Sequence, residues 1–323
     1  MQRLFKLFFL AVVAATLLAG ASCVIRPPAG KGGSVYIFTS FHDADQKFLR
    51  FLYSFDGYHW TNVPGTFLEA NVGVSRQFRD PSIVRGPDGM FHLVWTAGWH
   101  GDQGFGHAES KDLIHWSQQQ FVPVMTNEPT TANVWAPEIF YDDAGKQFVV
   151  VWASTIPGQF PDKLEKHDNN HRLYFTTTRD FASFTPAKLF FDPAFSVIDG
   201  FVLKDGKRFV LLNKDNSRPN LSLRVAFADS PLGPWKNESE PFTQKFTEGP
   251  CALKIGGDWL IYFDAYREKV YCAMKTRDFI TFIDVTKEVS FPPEHKHGTA
   301  FCVPRNILEG LLKSQAALSQ TNL

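Results

Sequence analysis

Lys245-Phe246-Thr247-Glu248-Gly249-Pro250-Cys251-Ala252-Leu253 sets a carboxylate ahead of a Gly-Pro corner at the start of an apolar, strand-like run. Four other stretches share its form: Arg79-Asp80-Pro81-Ser82-Ile83-Val84, Trp135-Ala136-Pro137-Glu138-Ile139-Phe140, Val197-Ile198-Asp199-Gly200-Phe201-Val202 and His297-Gly298-Thr299-Ala300-Phe301. Each places a polar group beside Gly or Pro and follows it with a short apolar run, the pattern of a buried strand entered through a turn.

A second motif interleaves with the first. Ser54-Phe55-Asp56-Gly57-Tyr58-His59-Trp60 recurs as Ser110-Lys111-Asp112-Leu113-Ile114-His115-Trp116, Thr178-Arg179-Asp180-Phe181-Ala182-Ser183-Phe184 and Thr276-Arg277-Asp278-Phe279-Ile280-Thr281-Phe282. A looser fifth copy is Asp229-Ser230-Pro231-Leu232-Gly233-Pro234-Trp235. The copies start 56, 68, 51 and 47 residues apart, and Asp80, Glu138, Asp199, Glu248 and His297 follow one another at 58, 61, 49 and 49. Two interleaved series of five, with a strongly apolar strand pattern between their members, predict five small antiparallel sheets of four strands each. The fold class is therefore all-β, a five-bladed β-propeller. The blade opened by Val35 to Trp60 is completed by a first strand from Thr299 to Val303, so strands from both termini close the ring and remove its open edges.

The 323 residues suit one large domain, placed at residues 35–304. Aromatics make up 15% of the chain, with 32 Phe and 8 Trp, which favours strands. The 33 basic and 33 acidic residues cancel, so nothing in the net charge points to nucleic acid or an anionic surface. Residues 1–22, with Arg3 and Lys6 ahead of an apolar run from Leu7 to Leu18 and small residues after it, predict a cleaved export signal. The segment resembles a bacterial lipoprotein signal, with Cys23 as the acceptor and Gly20 in place of the usual Leu. Membrane attachment is expected only through a lipid there, and the product is periplasmic, surface-bound or secreted. Residues 23–34 are Pro- and Gly-rich and predict a linker, and residues 305–323 a helical C-terminal tail. Cys251, Cys272 and Cys302 have no metal-site spacing; one disulfide is compatible with export, but three buried small hydrophobes is the favoured reading.

In a propeller the first strand of each blade lines the central channel, so Asp80, Glu138, Asp199, Glu248 and His297 are expected at one repeat phase around one mouth. Taken singly, an Asp or Glu beside Pro or Gly reads as a turn cap. Jointly, four carboxylates in one cavity repel, which raises the pKa of at least one. That is what glycoside hydrolysis needs: an acid to protonate the leaving oxygen and an ionised partner to activate water or attack the anomeric carbon.

These residues also carry a resemblance. Asp-Pro-Ser at Asp80, Trp-Ala-Pro-Glu at Glu138, Ile-Asp-Gly at Asp199, Glu-Gly-Pro at Glu248 and His-Gly at His297 resemble, over Val35 to Val303, the motif series of glycoside hydrolase family 43, the arabinanase, α-L-arabinofuranosidase and β-xylosidase group. The resemblance implies an inverting glycosidase with Asp80 as general base, Asp199 as the residue that tunes and orients the acid, and Glu248 as general acid. It implies no required cofactor, and places a hydrated Ca²⁺ or Na⁺ near His297. Gly200 stands where the family has Pro, and Glu138 where it has Asp, marks of a divergent branch. The related β-fructosidases also have an Arg-Asp-Pro motif, but their Asn-Asp-Pro-Asn and Glu-Cys motifs are missing here.

Trp135, Trp99 and Arg267, with Glu138, are the candidate substrate contacts, and the polar insertion from Pro157 to Arg172 is expected to shape the mouth. The expected partner is an oligo- or polysaccharide, met by a monomer. Rival readings are a β-galactosidase-type glycosidase, a non-catalytic propeller that holds glycan and keeps its binding when Glu248 is lost, and a structural or protein-binding propeller without sugar affinity.

Overall fold

The computed structural model describes residues 33–321. The export signal, Cys23 and the linker up to residue 32 lie outside the described residues. Three strands of the first blade, β1 (Ser34–His42), β2 (Asp45–Ser54) and β3 (Thr61–Glu69), open the chain. The second blade is β4 (Arg79–Arg85), β5 (Phe91–Thr96), β6 (Gly104–Ser110) and β7 (Gln120–Pro123). The third is β8 (Trp135–Asp142), β9 (Gln147–Ser154), β10 (Arg172–Thr178) and β11 (Lys188–Phe191). The fourth has β12 (Val197–Asp205), β13 (Arg208–Asp215) and β14 (Ser222–Ala228), and the fifth β15 (Thr247–Ile255), β16 (Asp258–Ala265), β17 (Val270–Thr276) and β18 (Ile283–Asp284). The chain then returns through β19 (His295–Lys296) and β20 (Ala300–Pro304), both antiparallel to β1, with Phe38 opposite Ala300 and Ser34 opposite Pro304. Strands from the two ends of the chain thus share one sheet, as the sequence predicts.

One blade departs from the expected four strands. Beyond β14, residues 236–242 hold the edge through scattered bonds, Phe227 exchanging both backbone bonds with Lys236 and Ser239 and Phe242 donating to Val225 and Leu223. Pro231, Pro234 and Pro241 offer no N–H to a ladder, so a regular fourth strand is replaced by a loosely bonded ribbon.

The recurring heptad is a capped turn between the third and fourth strands of a blade. In Ser110 to Trp116 the Asp112 Oδ1 accepts from the backbone N–H of Ile114 (2.9 Å) and His115 (2.8 Å), and the Ser110 hydroxyl oxygen accepts from Leu113 N–H (2.9 Å). The same pair of acceptors serves at Ser54 and Asp56, Thr178 and Asp180, and Thr276 and Asp278. The fourth residue takes the left-handed conformation, Gly57 in one copy but Leu113, Phe181 and Phe279 at φ of 65°, 55° and 57° in the others. Burial of those three side chains between blades offsets the strain.

Aromatic rings fill the wedges between blades. Phe78 stacks on Trp95 (5.1 Å) between the first two blades, and Phe38, Trp60, Tyr262 and Phe291 interlock between the first and fifth. The helix α1 (Arg305–Thr321) lies against β1, β3 and β20 and buries Leu308 and Leu311. Cys251 and Cys272 are buried and Cys302 half-buried, all as free thiols. Among the described residues no helix is long and apolar enough to cross a membrane.

Candidate active site

The inner strands β4, β8, β12 and β15 each begin with a break in register, between Arg79 and Ser82, Trp135 and Glu138, Ile198 and Phe201, and Glu248 and Cys251. The residue following the first of each pair is left-handed: Asp80 at φ 49°, Ala136 at 46°, Asp199 at 52° and Gly249 at 59°. This bulge re-aims the chain at the channel mouth. It also corrects the expectation of a single repeat phase. Asp80, Asp199, Ala136 and Gly249 are the equivalent residues; Glu248 stands one position earlier and Glu138 two positions later.

The phase difference does not scatter Asp80, Asp199 and Glu248, because His297 gathers them. Its Nδ1 lies 3.0 Å from Asp80 Oδ1 and its Nε2 3.3 Å from Glu248 Oε1. Asp199 presents an oxygen to the same cluster and accepts from Gly249 N–H through Oδ2 (3.0 Å). Gly249 is required: a Cβ there would stand 2.4 Å from the His297 ring, on a backbone already at positive φ. Three residues not foreseen from the sequence complete the cluster. Lys214, at the end of β13, holds Glu248 Oε2 at 2.7 Å; Thr96, at the end of β5, donates to Asp80 Oδ2 at 2.8 Å; Asp264, at the end of β16 opposite Glu248, pairs with Lys296. Their common signal is a polar residue closing an apolar second strand.

The environment separates these groups electrostatically. Burial alone would lower His297, but the bonds and charges of Asp80 and Glu248 raise it well above its ordinary value, so it is an imidazolium. Burial would raise Asp80 and Glu248; the His297 bond holds Asp80 below the usual carboxylate range, and Lys214 with His297 hold Glu248 well below it. Asp199 goes the other way, raised by burial and by the Glu248 charge. Two of the four axial carboxyls are therefore raised, Asp199 and Glu138, while Glu248 is held low by its cationic neighbours.

Glu138 lines the axial cavity, about 40 Å³, together with Asp80 and Asp199. Burial pushes its carboxyl up to about 8, opposed only by a hydrogen bond with Ser82. Trp135 and Trp99 meet edge to face at 5.3 Å, and the Trp135 indole N–H donates to the Trp99 carbonyl (2.8 Å). The Arg79 guanidinium is layered between the Phe41 ring (4.6 Å) and the Trp99 ring (4.2 Å), leaving Trp99 40% exposed. Arg267 is exposed and stacks on Phe246 at 3.3 Å. Within the cluster, Asp199, Glu248 and His297 present atoms within 4.8 Å of one another. These residues fit a metal poorly: Ca²⁺ takes six to eight oxygens, both His297 nitrogens face carboxylates, and Lys214 already occupies Glu248.

The family model described as a probable glycosyl hydrolase domain, related to family 43, matches residues 33–309. An α-L-arabinofuranosidase of Bifidobacterium longum subsp. longum is 27% identical over 158 residues, 42% of this chain and 15% of that protein, so the chain spans a small part of that relative's length. Among solved structures, a family 117 glycoside hydrolase from Zobellia galactanivorans superposes with a TM-score of 0.52 at 14% identity, covering 67% of this chain and 70% of that one. A family 43 β-1,3-galactosidase solved with galactodeoxynojirimycin gives 0.51 at 13% identity, covering 64% and 75%. At these identities the two structures speak for the fold.

Proposed function

Since the chain belongs to the family-43-related glycosyl hydrolase domain family, we propose that it removes a terminal α-L-arabinofuranosyl or β-D-xylosyl unit from an oligo- or polysaccharide, with inversion. The observation that carries this reading is the convergence of Asp80, Asp199 and Glu248, from three blades, on one imidazole. A whole ring and two contacts separate the paired oxygens of Asp80 and Glu248, which favours the wide class of carboxylate pairs, roughly 6.5–9.5 Å apart, over the ~5–5.5 Å of retaining enzymes.

In this reading Asp80 is the general base. Thr96 and His297 keep it ionised, and it takes a proton from the water that attacks the anomeric carbon. Glu248 is the acid. Passage of the Nε2 proton of His297 to Glu248 Oε1 leaves a neutral imidazole, an ionised Asp80 and a protonated Glu248, the state that inversion needs. Glu248 then gives that proton to the leaving oxygen. Asp199, bonded to the neighbouring Gly249 N–H, orients the acid strand and tunes its charge. Arabinofuranosyl is favoured by the Bifidobacterium longum relative. Trp135, Trp99 and Arg267 are the proposed sugar contacts, no organic cofactor takes part, and the export signal expected at residues 1–22 supports action outside the cytoplasm.

The test is release of chromophore from aryl α-L-arabinofuranoside, β-D-xyloside, β-D-galactoside and β-D-fucoside by wild type, Glu248→Gln and Asp80→Asn, with the first-formed anomer read by NMR. We expect turnover on one sugar with inversion, and a loss of about 10²–10⁴-fold in each variant. No turnover on any sugar, with glycan binding intact in Glu248→Gln, would leave the glycan-holding propeller instead.

A further inference from the structure

The insertion between β9 and β10 carries a second polar construction that the proposed chemistry does not use. Glu165 enters from this insertion and is almost fully buried, its side chain 7% exposed and that of its partner His171 0%. His171 Nδ1 lies 2.8 Å from Glu165 Oε1; the Ser196 hydroxyl donates to the same oxygen and accepts from His171 N–H at 2.7 Å. Both the backbone and the ring of His171 are therefore fixed on one carboxylate and hydroxyl pair. The insertion is also tied to the fourth blade by Arg218 N–H donating to Leu164 O (3.0 Å), and to itself by Asn170 donating to Phe160 O (3.2 Å).

What lies on His171 is Trp135. The two rings stack at 4.8 Å and 28°, the indole N–H is taken by the Trp99 carbonyl, and the next residue, Ala136, donates its N–H to Thr96 Oγ1 at 2.8 Å. Thr96 in turn donates to Asp80 Oδ2. An unbroken series of contacts thus runs from Glu165 through His171, Trp135, Ala136 and Thr96 to Asp80. A loop that only had to close could be anchored with apolar side chains, since taking a carboxylate out of water carries a large desolvation penalty. A carboxylate spent on orienting one ring beneath the partly buried Trp135 indole is explained if the position of that indole matters.

We propose that the Glu165–His171 pair is a positioning device that fixes the Trp135 ring as a wall of the sugar-binding site beside Asp80, making the 157–172 insertion a determinant of substrate affinity. The inference rests on the glycosidase reading for its substrate. It does not depend on the assignment of acid and base.

Its test measures KM and kcat of wild type, His171→Ala, His171→Phe and Glu165→Gln on the aryl glycoside that wild type turns over. Alongside it, equilibrium binding of arabinotriose and xylotriose is measured calorimetrically in a Glu248→Gln background. His171→Ala is expected to raise KM and the dissociation constant about tenfold, the scale of an aromatic contact, with kcat within about twofold. His171→Phe, which restores a ring under Trp135, should recover most of that loss, and Glu165→Gln should fall between. Equal binding by wild type and His171→Ala would overturn the proposal, as would parallel falls in kcat and melting temperature without a change in affinity, or a wild type that binds neither trisaccharide. A wild type that binds but does not turn over would sink the hydrolase reading while the binding series still decides this one.

Discussion

Among single residues, Glu138 has the clearest linkage to pH. Its carboxyl is raised in the folded chain to about 8 from an ordinary value of 4.5. A raised carboxyl is protonated in the folded state while the unfolded state ionises, so its contribution is full below about pH 4.5 and is lost as pH climbs towards 8. At pH 7 that loss is on the order of 3 kcal/mol. Glu138→Gln keeps the shape, can still bond Ser82, and removes the titration. Urea unfolding at pH 5 and pH 8 should show wild type losing stability relative to the variant as pH rises; parallel curves would mean that Glu138 is ionised and paired in the fold. Asp80 and Asp199 were legible in the sequence because a carboxylate before Pro or Gly at a strand start marks the bulge itself. Glu138 was legible as a motif residue but not in its depth, since Ala136 takes the bulge position and carries it two residues further in. Lys214 was hidden because a Lys after Leu211-Leu212-Asn213 reads as a strand running out into solvent, and only the partner blade supplies the carboxylate that buries it.

At the scale of one element, the capped turn is the unit that the sequence repeats, and it can be tested in one copy. Asp112 accepts two backbone N–H groups and pairs with His115, which holds its carboxyl down at about 2 despite partial burial. Asp112→Ala removes these acceptors at a half-buried site and should cost about 1 kcal/mol, whereas Asp112→Asn keeps an acceptor and should cost a fraction of that. Because the folded carboxyl is depressed below 3.8, this contribution is present above pH 3.8 and disappears as pH falls through 2. Melting curves of the two variants at pH 7 decide the matter: equal losses would show that charge and not acceptor geometry holds the turn. The same elements explain what the pattern concealed. Four turns keep Asp at the third position and are followed by a fourth strand, while the Pro-bearing fifth copy belongs to the blade that has none. The insertion at 157–172 read only as a polar loop, because nothing local distinguishes Glu165 from a solvated acid until Ser196 and His171 meet it.

On the scale of the whole molecule, closure of the ring and assembly of the site are one event. The returning segment that pairs β20 with β1 also delivers His297, and just beyond it Thr299 exchanges bonds with Thr39, its N–H going to Thr39 Oγ1 (2.8 Å) and its carbonyl accepting from Thr39 N–H (3.1 Å). Thr39 Oγ1 donates onward to the Pro81 carbonyl (2.7 Å), so the residue after Asp80 is tied to the segment that carries its partner. Thr39→Val keeps the volume but leaves the Pro81 carbonyl and the Thr299 N–H buried without this partner, a cost of about 2–4 kcal/mol. Shortening the chain after Pro304 removes α1 and exposes the apolar surface under Leu308 and Leu311, yet leaves every blade its strands. That variant should melt cooperatively at a lower temperature. Shortening it after Gly298 removes β20, the inner strand of its blade, together with the Thr299 bonds to Thr39, and bares the edge of β1, so cooperative unfolding should vanish although His297 is still present in the chain. If the second truncation melted as the first does, the site would have to be assembled by the inner strands of the other four blades alone, and the bonds through Thr39 would be a consequence of His297 docking and not its cause.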